Sequence, residues 1–336
     1  MRNSFSIFSA AAATAAVALL AACSGGSQGT MSTIPGGVNN LSHARAGLSA
    51  SGIAAKYLGM QHFHPTHTHG LRAPGGAKDL YVDDVGNNAV DVLANNSWTY
   101  SGGITSSING PDGNWVDKKG NIYVANYAGP YVTEYNKAGN LIYTYSSGVA
   151  DPVAVTTDKK GHVFEADFTG NYVTEFNQQS NSPVATCYPG GYAEGVAVDK
   201  HGNVFVAWTN FSIGVITEYT GGLSGCNGTN LSVPLEWVGG MVIDKHSNIV
   251  ICDQIALAVD VIAPPYTAVT GTLGSGWSDP FHVTINKKNK QAYVADASTG
   301  QVTVLSYPGG TTQAVLGSGN GISVGYSAVD GQNFVP

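Results

Sequence analysis

The chain has 336 residues, of which 15 are basic and 22 acidic, so its formal net charge is −7. Charged residues make up only 11% of the chain and hydrophobic residues 43%, and glycine alone occurs 44 times. This composition excludes a largely disordered chain and a coiled coil, and the negative net charge argues against a nucleic-acid partner. The many glycines and the 17 tyrosines favour an all-β fold.

The first 22 residues have the pattern of a secretory signal. One positive charge at Arg2 precedes an alanine-rich apolar run over 7–20, which is shorter than the ~20 residues that span a bilayer. The run ends in Leu-Ala-Ala-Cys at positions 20–23, which resembles a bacterial lipobox. The resemblance implies cleavage after residue 22 and lipid on Cys23, hence a lipoprotein of the bacterial cell envelope, anchored to a membrane outside the cytoplasm. An ordinary secretory signal with an incidental cysteine is the alternative.

Residues 23–76 are predicted to form a flexible tether, because small and polar residues dominate and no period is sustained. About 50 such residues have a root-mean-square reach of roughly 40 Å. The tether contains four closely spaced histidines, a residue type that binds Zn²⁺ or Cu²⁺. A polar loop leading into the first strand explains them equally. They are His62, His64, His67 and His69.

The rest of the chain, 77–336, is a repeat. Each unit reads as four short strands, which we label a to d, and strand a ends in an acidic or amide residue that recurs at spacings of 41, 41, 45, 42 and 44. Repeats of this length with four strands indicate a β-propeller. The first unit, starting at Asp79, lacks a strand a, and residues 324–330 form a strand a with little after it. We therefore expect six blades, with the C-terminal strand completing the first. The recurring residues are Asp117, Asp158, Asp199, Asp244, Asn286 and Asp330.

The repeat motifs also identify a family resemblance. Gly-Val-Ala-Val-Asp at 195–199 and Gly-Asn-Ile-Tyr-Val-Ala-Asn at 120–126 resemble the NHL repeat and lack the Gly-His and Trp-Asp marks of WD40 repeats. The resemblance implies an NHL-like or gluconolactonase-like propeller. Such propellers include binding modules and some metal-dependent lactonases and lyases, which hold a divalent cation at the propeller axis. The nearest match to the opening metal-ligand segment of those enzymes is Glu194-Gly195, in the fourth blade and without the following proline.

Several residues depart from the repeat. Asp112, Glu194 and His282 break a small or apolar pattern near the axis; they either cap turns and line a wet channel or form a site. Glu165 occupies a position that holds valine in four sister blades, so it is either a partnered structural acid or part of a site. The regular acids and amide that end strand b are predicted to cap turns. They are Asp84, Asn126, Asp167, Asp253 and Asp296.

Three cysteines follow Cys23. Cys252 stands where sister repeats place alanine, so we interpret it as a small buried hydrophobe. Cys187 and Cys226 are the only attractive pair for a disulfide. The predicted strands put these two at opposite ends of neighbouring blades, which argues against the bond and leaves the pairing open.

The two faces of the predicted propeller differ in chemistry. The a–b turns collect nine of the chain's twelve lysines, which are either ordinary solvated turns or a surface for anionic lipid. The opposite face collects aromatic and acidic residues, which suit a glycan or extended peptide unless the rings merely fill the seams between blades. The predicted ligand face consists of Tyr127, Phe168, Trp208, Asp112, Asp151 and Glu194.

Together these features predict a lipid-anchored binding or scaffolding module that recognises a glycan, peptide or protein partner on one propeller face. The rival is a metal-dependent, lactonase-like hydrolase or lyase at the axis, for which a divalent cation is the expected cofactor. A purely structural envelope protein is the third class. The expected partners are the membrane, through the lipid, and the ligand of the aromatic face, with no nucleic acid.

Overall fold

The computed structural model describes residues 79–94, 97–210 and 212–330. In these residues, strands form six four-stranded antiparallel sheets, and the only helices among them are two single 3₁₀ turns, at Ser224–Cys226 and Ser318–Asn320. The inner strand of each sheet contacts the inner strands of both neighbouring sheets, which closes the ring. The all-β, six-bladed propeller is therefore confirmed. None of the described residues forms a helix long and apolar enough to cross a membrane.

Blade 1 is built from both ends of the described chain. Its strands lie in the order β24, β1, β2, β3. The C-terminal strand pairs antiparallel with the first one, with Leu80 opposite Asp330 and Tyr81 opposite Val329. The predicted closure of the ring by the C-terminal strand is thus confirmed. The bounds are β1 Asp79–Asp84, β2 Ala89–Ala94, β3 Thr99–Ile104 and β24 Gly325–Asp330.

The other five blades each use four consecutive strands. Blade 2 contains β4 Pro111–Val116, β5 Ile122–Asn126, β6 Tyr131–Tyr135 and β7 Leu141–Tyr145, and blade 3 contains β8 Pro152–Thr157, β9 Val163–Asp167, β10 Tyr172–Phe176 and β11 Pro183–Cys187. Blade 4 contains β12 Tyr192–Val198, β13 Val204–Thr209, β14 Gly214–Tyr219 and β15 Gly228–Asn230. Blade 5 contains β16 Val238–Ile243, β17 Ile249–Asp253, β18 Ala258–Ile262 and β19 Gly271–Thr272, and blade 6 contains β20 Pro280–Ile285, β21 Gln291–Asp296, β22 Gln301–Ser306 and β23 Thr312–Leu316.

The a–b turns are fixed by the recurring acid. In blade 2, Asp117 Oδ1 accepts hydrogen bonds from the backbone N–H of Lys119 at 2.7 Å and of Asn121 at 2.9 Å. Gly120 between them has φ +87°, a conformation that side chains other than glycine rarely adopt. Asp199 and its two turn amides repeat this pattern in blade 4. The short polar side chain therefore supplies the acceptor that the tight turn lacks.

The acids that end strand b tie down the connection that enters their own blade. Asp167 Oδ2 accepts from the N–H of Ala150 at 2.7 Å and of Asp151 at 2.8 Å, and its Oδ1 accepts from Gly170 N–H at 2.7 Å. Asp296 does the same for residues 278 and 279. The predicted turn-capping role is confirmed. It also holds the d–a loops, which surround the axis, in fixed positions.

The three cysteines of the described residues form one disulfide and one buried thiol. Cys252 is fully buried, as predicted, whereas the argument against a Cys187–Cys226 bond was wrong, because the two Cα atoms are 5.3 Å apart and the sulfurs are bonded. The c–d connection of blade 4 does not stay within its own blade. It lies over β11, with Leu223 fully buried beside Cys187. Strand positions alone do not reveal a connection that crosses to the next blade.

Candidate functional site

A β-bulge at the start of strand a recurs in all six blades. The pairing of strand a with strand b shifts there by one residue, and the extra residue is left out of the ladder. Bulges redirect a side chain, and they are frequent beside functional sites. The extra residues are Asp112, Val153, Glu194, Gly239, Phe281 and Tyr326. Two of the six bulges around the axis therefore carry a carboxyl group.

The next position of strand a carries small residues in five blades and His282 in the sixth. The five small residues are Gly113, Ala154, Gly195, Gly240 and Ser327. A Cβ on Gly240 would lie 2.0 Å from His282 Nδ1, so glycine makes room for the imidazole. His282 Nε2 lies 3.3 Å from Asp112 Oδ1, and both side chains are almost fully buried. This pair joins blade 6 to blade 2, the two neighbours of the blade that closes the ring.

Glu194 is the second axial carboxyl. It is 1% exposed, and burial, followed by the nearby charge of Asp112, raises its pKa well above the usual 4.5, while the Trp237 side chain opposes the shift. Within the described chain its Oε1 has no hydrogen-bond partner. A carboxyl group in its protonated form is able to donate as well as accept a hydrogen bond.

Gln254 adds an amide to the same region. It is 1% exposed, and its Nε2 has no hydrogen-bond partner in the described part of the chain. A Cβ on Gly239, the bulge residue of blade 5, would lie 3.2 Å from this nitrogen, so the amide fills the space left by the glycine. Neighbouring blades thus present an unused acceptor on Glu194 and an unused donor on Gln254. Buried polar atoms without partners are costly, and they mark places where a ligand or water completes the hydrogen bonding.

Aromatic rings pack at the same level around the axis. Phe281 and Tyr326 have ring centroids 5.1 Å apart, and Phe168 and Tyr192 have centroids 5.0 Å apart. These rings belong to one apolar cluster that draws residues from blades 1, 3 and 6 and includes the bulge residue Val153. Phe281, Tyr326 and Val153 occupy the same bulge position as Asp112 and Glu194, so the cluster lies beside the axial polar residues.

Asp151 lies at the edge of this cluster and is half-buried. Burial, followed by the charge of Asp167, raises the pKa of Asp151 to about 7, and the charge of Asp112 contributes further. Tyr127 and Tyr192 are also half-buried and pack against the apolar cluster. We call Asp151, Tyr127 and Tyr192 the mouth of the site; it combines two partly exposed rings with a carboxyl group whose pKa is about 7.

A channel leads from the axial residues towards the a–b turns. It is narrow, with a cavity volume of about 30 Å³. Inner-strand side chains line it, among them Thr156, Val198, Met241 and Ile243, and His282 stands at its polar end. The channel thus reaches His282 at the axis, and the aromatic cluster lies at the other end of the inner strands.

The structure corrects the predicted positions of two ligand-face rings. Phe168 and Trp208 are each 6% exposed, so neither offers a ring face to solvent. Trp208 is opposite Ala193 in the ladder, the place that Asp167 holds opposite Pro152 in blade 3, so it lies within β13 instead of following strand b. Because successive strand residues point to opposite faces, this one-residue shift turns the indole into the blade, where its Nε1–H donates to Thr217 Oγ1 at 2.8 Å. Ligand binding by the six residues remains a prediction.

Glu165 lies in the middle of β9, one strand out from the axis, and is fully buried. Its Cα pairs with those of Val155 and Thr174, and neither carboxyl oxygen has a geometric hydrogen-bond partner within the described chain. Burial and then the charge of Asp167 raise its pKa well above 4.5, and Thr174 opposes the shift. The axial residues do not contribute to that shift. Glu165 is therefore an acid buried inside blade 3, separate from the axial residues.

Asp83 and Asn114 are buried polar residues near the axis that were not predicted from the sequence. Asn114 Nδ2 donates to Asp83 Oδ1 at 2.9 Å, and Ser327 Oγ donates to Asn114 Oδ1 at 3.1 Å. Asp83 is fully buried, and burial, followed by the charge of Asp112, raises its pKa well above the usual 3.8. The repeat did contain a signal. Alanine or Cys252 occupies the position of Asp83 in the other blades, and apolar residues occupy that of Asn114.

The described residues do not fit a bound divalent cation. In residues 79–94, 97–210 and 212–330, no group of three or more His, Cys, Asp or Glu side chains is arranged to hold a metal ion. The predicted lipidation site Cys23 and the histidines at 62, 64, 67 and 69 lie outside the described residues.

No protein-family model matches the chain, and no curated protein matches it significantly. Solved structures do resemble it. A chain of a nidogen–laminin complex shares 15% identity at a TM-score of 0.63, covering 75% of this chain and 97% of its own. A Bacteroides caccae protein shares 12% identity at a TM-score of 0.58, covering 75% of this chain and 97% of its own. Virginiamycin B lyase from Staphylococcus aureus shares 12% identity at a TM-score of 0.52, covering 73% of this chain and 86% of its own. At these identities the likeness shows the fold alone: the chain is a six-bladed propeller of the shape found in both binding proteins and lyases.

Proposed function

We propose that the protein is a lipid-anchored binding module of the bacterial cell envelope that recognises a glycan, peptide or protein partner on the face formed by the b–c and d–a loops. The observation that carries the proposal is the polar floor at the axis. Glu194 Oε1 and Gln254 Nε2 are buried there without hydrogen-bond partners in the described residues, and Asp151, in the d–a connection that enters blade 3, is half-buried. A polar ligand with both donors and acceptors would complete these hydrogen bonds.

The mouth favours a glycan or peptide over an apolar ligand. Tyr127 and Tyr192 are half-buried, so each keeps part of its surface for contact, and Asp151 stands beside them. Partly exposed rings next to a carboxyl group combine apolar contact with hydrogen bonding. The nidogen–laminin complex is a precedent for a propeller of this shape in an assembly with a protein partner.

The cell-envelope location rests on two observations of different kinds. The lipobox-like segment ending at Cys23 is a sequence feature. The Cys187–Cys226 disulfide belongs to the folded domain, and such bonds persist in oxidising compartments and are rare in the cytosol. Both support an extracytoplasmic protein. Radiolabelled fatty acid should be incorporated by the natural chain and not by Cys23→Ala, and equal labelling of both would contradict the lipid anchor.

Ligand binding is tested on an array of glycans and peptides, with the chain from residue 23 onward carrying Cys23→Ala. Glu194→Leu nearly keeps the size of the side chain and removes both carboxyl oxygens. It should weaken the binding of any hit at least ~10-fold, the effect of losing about one hydrogen bond of 1.4 kcal/mol. Glu218→Leu is the matched control, because Glu218 is a half-buried acid near the end of β14, away from the b–c and d–a loops. Melting curves of both variants separate lost binding from lost folding.

An array without hits would contradict the proposed ligand face. Hits that the Glu194→Leu and Glu218→Leu variants both bind as tightly as the unsubstituted chain does would contradict it too. Asp151→Asn sharpens the test. Because the pKa of Asp151 is raised to about 7, its carboxyl is mostly protonated at pH 6 and mostly ionised at pH 8. Binding that uses the carboxylate as an acceptor should strengthen between these pH values, and Asp151→Asn should remove that change.

Acid–base catalysis at the same place is the second candidate. One observation favours it: a group whose pKa lies near the working pH is suited to transfer protons, and Asp151 meets this condition beside the His282–Asp112 pair. A lyase or hydrolase would turn over the array hits. Product formation that Asp151→Asn abolishes would favour the enzyme, and tight binding with intact ligand would favour the module.

A further inference from the structure

The charges of the propeller are separated between its surface and its interior. All 22 acids of the chain lie at or after Asp79, and 16 of them are buried. Among the remaining acids, Glu236 is exposed and four are half-buried: Asp79, Asp151, Asp158 and Glu218. By contrast, the ten lysines of the described residues are all exposed. The formal charge of −7 therefore does not describe the surface.

All ten lysines lie on one face. Nine are in a–b turns, and Lys137 is in a c–d turn. The Cβ of Lys137 would lie 3.4 Å from a Cβ placed on Gly120, so this c–d turn is next to the a–b turn of the same blade. We call this surface the lysine face. Its lysines come from blades 2 to 6, and the exposed His201 and His246 share it. They are Lys118, Lys119, Lys137, Lys159, Lys160, Lys200, Lys245, Lys287, Lys288 and Lys290.

The acids of the same turns do not cancel this charge at the surface. Asp117, Asp199 and Asp244 are buried and accept hydrogen bonds from the turn backbone. Asp158 is half-buried and lies 3.1 Å from His162 Nδ1. Glu218 is half-buried near the end of β14. The lysine side chains extend beyond these acids, so an approaching body meets positive charge first.

Blade 1 has no a–b turn on the lysine face. Instead, β1 begins there at Asp79 and β24 ends there at Asp330, because these two ends are paired in the sheet. The 78 residues that precede β1, including Cys23, therefore join the propeller at the lysine face. A lipid anchor at Cys23 would draw this face, and not the opposite one, towards the bilayer.

We propose that the lysine face is a docking surface for an anionic lipid bilayer. The partner is a planar array of negatively charged headgroups, which ten lysines in six turns of one propeller face can meet together. Docked in this way, the propeller presents its b–c and d–a loops, with the axial site, away from the membrane. The argument from the chain ends rests on the lipid anchor of the proposed function, whereas the argument from the lysines stands without it.

The test uses the chain from residue 23 onward with Cys23→Ala, which carries no lipid, and sedimentation with vesicles. Vesicles of phosphatidylcholine alone are compared with vesicles containing 30% phosphatidylglycerol. Each lysine near an anionic surface contributes roughly a fivefold gain in binding, so six Lys→Gln substitutions should weaken partitioning at least ~100-fold. The six are at 118, 119, 159, 160, 287 and 288. Salt should weaken binding of the unsubstituted chain steeply.

A charge-matched control separates the face from the net charge. Lys287→Gln with Lys288→Gln removes two positive charges, and adding Glu236→Lys restores the net charge on the opposite side of the molecule. The proposal predicts that this addition does not restore vesicle binding. Full restoration of vesicle binding by Glu236→Lys would overturn the proposal. Equal binding of the unsubstituted chain to neutral and anionic vesicles would overturn it too, as would tighter binding to duplex DNA than to anionic vesicles at the same salt concentration. Because no lipid is attached, these outcomes do not depend on whether Cys23 is an anchor.

Discussion

Buried carboxyl groups dominate the chemistry of this molecule at the scale of single residues. Most of them, such as Asp117 and Asp167, accept several backbone hydrogen bonds and so replace the water they lose. Glu165 and Glu194 differ, because each has an oxygen without a partner in the described residues and a raised pKa. The first lies within a blade and the second at the axis, so we expect opposite consequences of changing them.

Glu165→Val should stabilise the fold. The folded pKa lies above the usual 4.5, so above pH 4.5 the unfolded chain releases a proton that the folded chain keeps, and this difference destabilises the fold increasingly as pH rises towards the folded pKa. The gain should be about 1–3 kcal/mol at pH 7 and small at pH 4.5. Denaturant unfolding at the two pH values measures it. Glu236→Gln, an exposed acid, serves as the control, and a Glu165→Val variant that is less stable at pH 7 would mean that the carboxyl has an essential partner.

Trp208 tests the corrected orientation. Its indole is 6% exposed, and Gly190 and Gly191 pack against it so closely that a Cβ on either would lie within 3 Å of the ring. Trp208→Ala should therefore cost about 3–5 kcal/mol of folding free energy. Tyr188→Ala, which removes a ring that is 71% exposed, should change stability by no more than about 0.5 kcal/mol. Similar melting temperatures for the two variants would mean that Trp208 is at the surface after all.

At the scale of elements, the sequence was sufficient for the strands, the turns and the ring closure. The repeat fixes which residues correspond in each blade, and turn acids such as Asp117 and Asp199 mark the same hairpin in different blades. The prediction failed where an element departs from the repeat. Trp208 took the place of the acid that ends strand b, and residues 220–227 crossed to the neighbouring blade to form the disulfide.

The axial site was predicted only in part, for a physical reason. Asp112, Glu194 and His282 were recognisable because each is polar where sister residues are small or apolar. Their partners come from other strands and depend on three-dimensional packing. Gln254 enters the site because Gly239 leaves space for its amide, and a glycine in one blade does not reveal which side chain of that blade will fill the gap.

At the scale of the whole molecule, ring closure should control cooperative folding. Deletion of residues 322–336 removes β24, including the buried Tyr326, Ser327 and Val329, and leaves the edge of β1 unpaired. We expect the sharp unfolding transition to be lost or to broaden severely in a denaturant titration. Deletion of 331–336 leaves β24 in place and is the control. A cooperative transition of unchanged midpoint in the larger deletion would show that the ring does not need its closing strand.

The two faces of the propeller are chemically distinct enough to be mapped separately. The lysines lie on the face where the described chain begins and ends, and four tyrosines lie towards the opposite loops: Tyr127, Tyr172, Tyr188 and Tyr192. This separation is the central claim, because it assigns the membrane to one face and the partner to the other. Acetylation reports on lysine and nitration on tyrosine, so one mass-spectrometric experiment reads both faces.

The most direct measurement is therefore chemical footprinting of the lipid-free chain with and without vesicles containing 30% phosphatidylglycerol. We predict that vesicles slow the acetylation of lysines such as Lys119, Lys160 and Lys288 several-fold, while nitration of Tyr188, which is 71% exposed, is unchanged. Slowed nitration of Tyr188 with unchanged acetylation of the lysines would contradict the assignment of the two faces, as would acetylation at the same rate in both conditions.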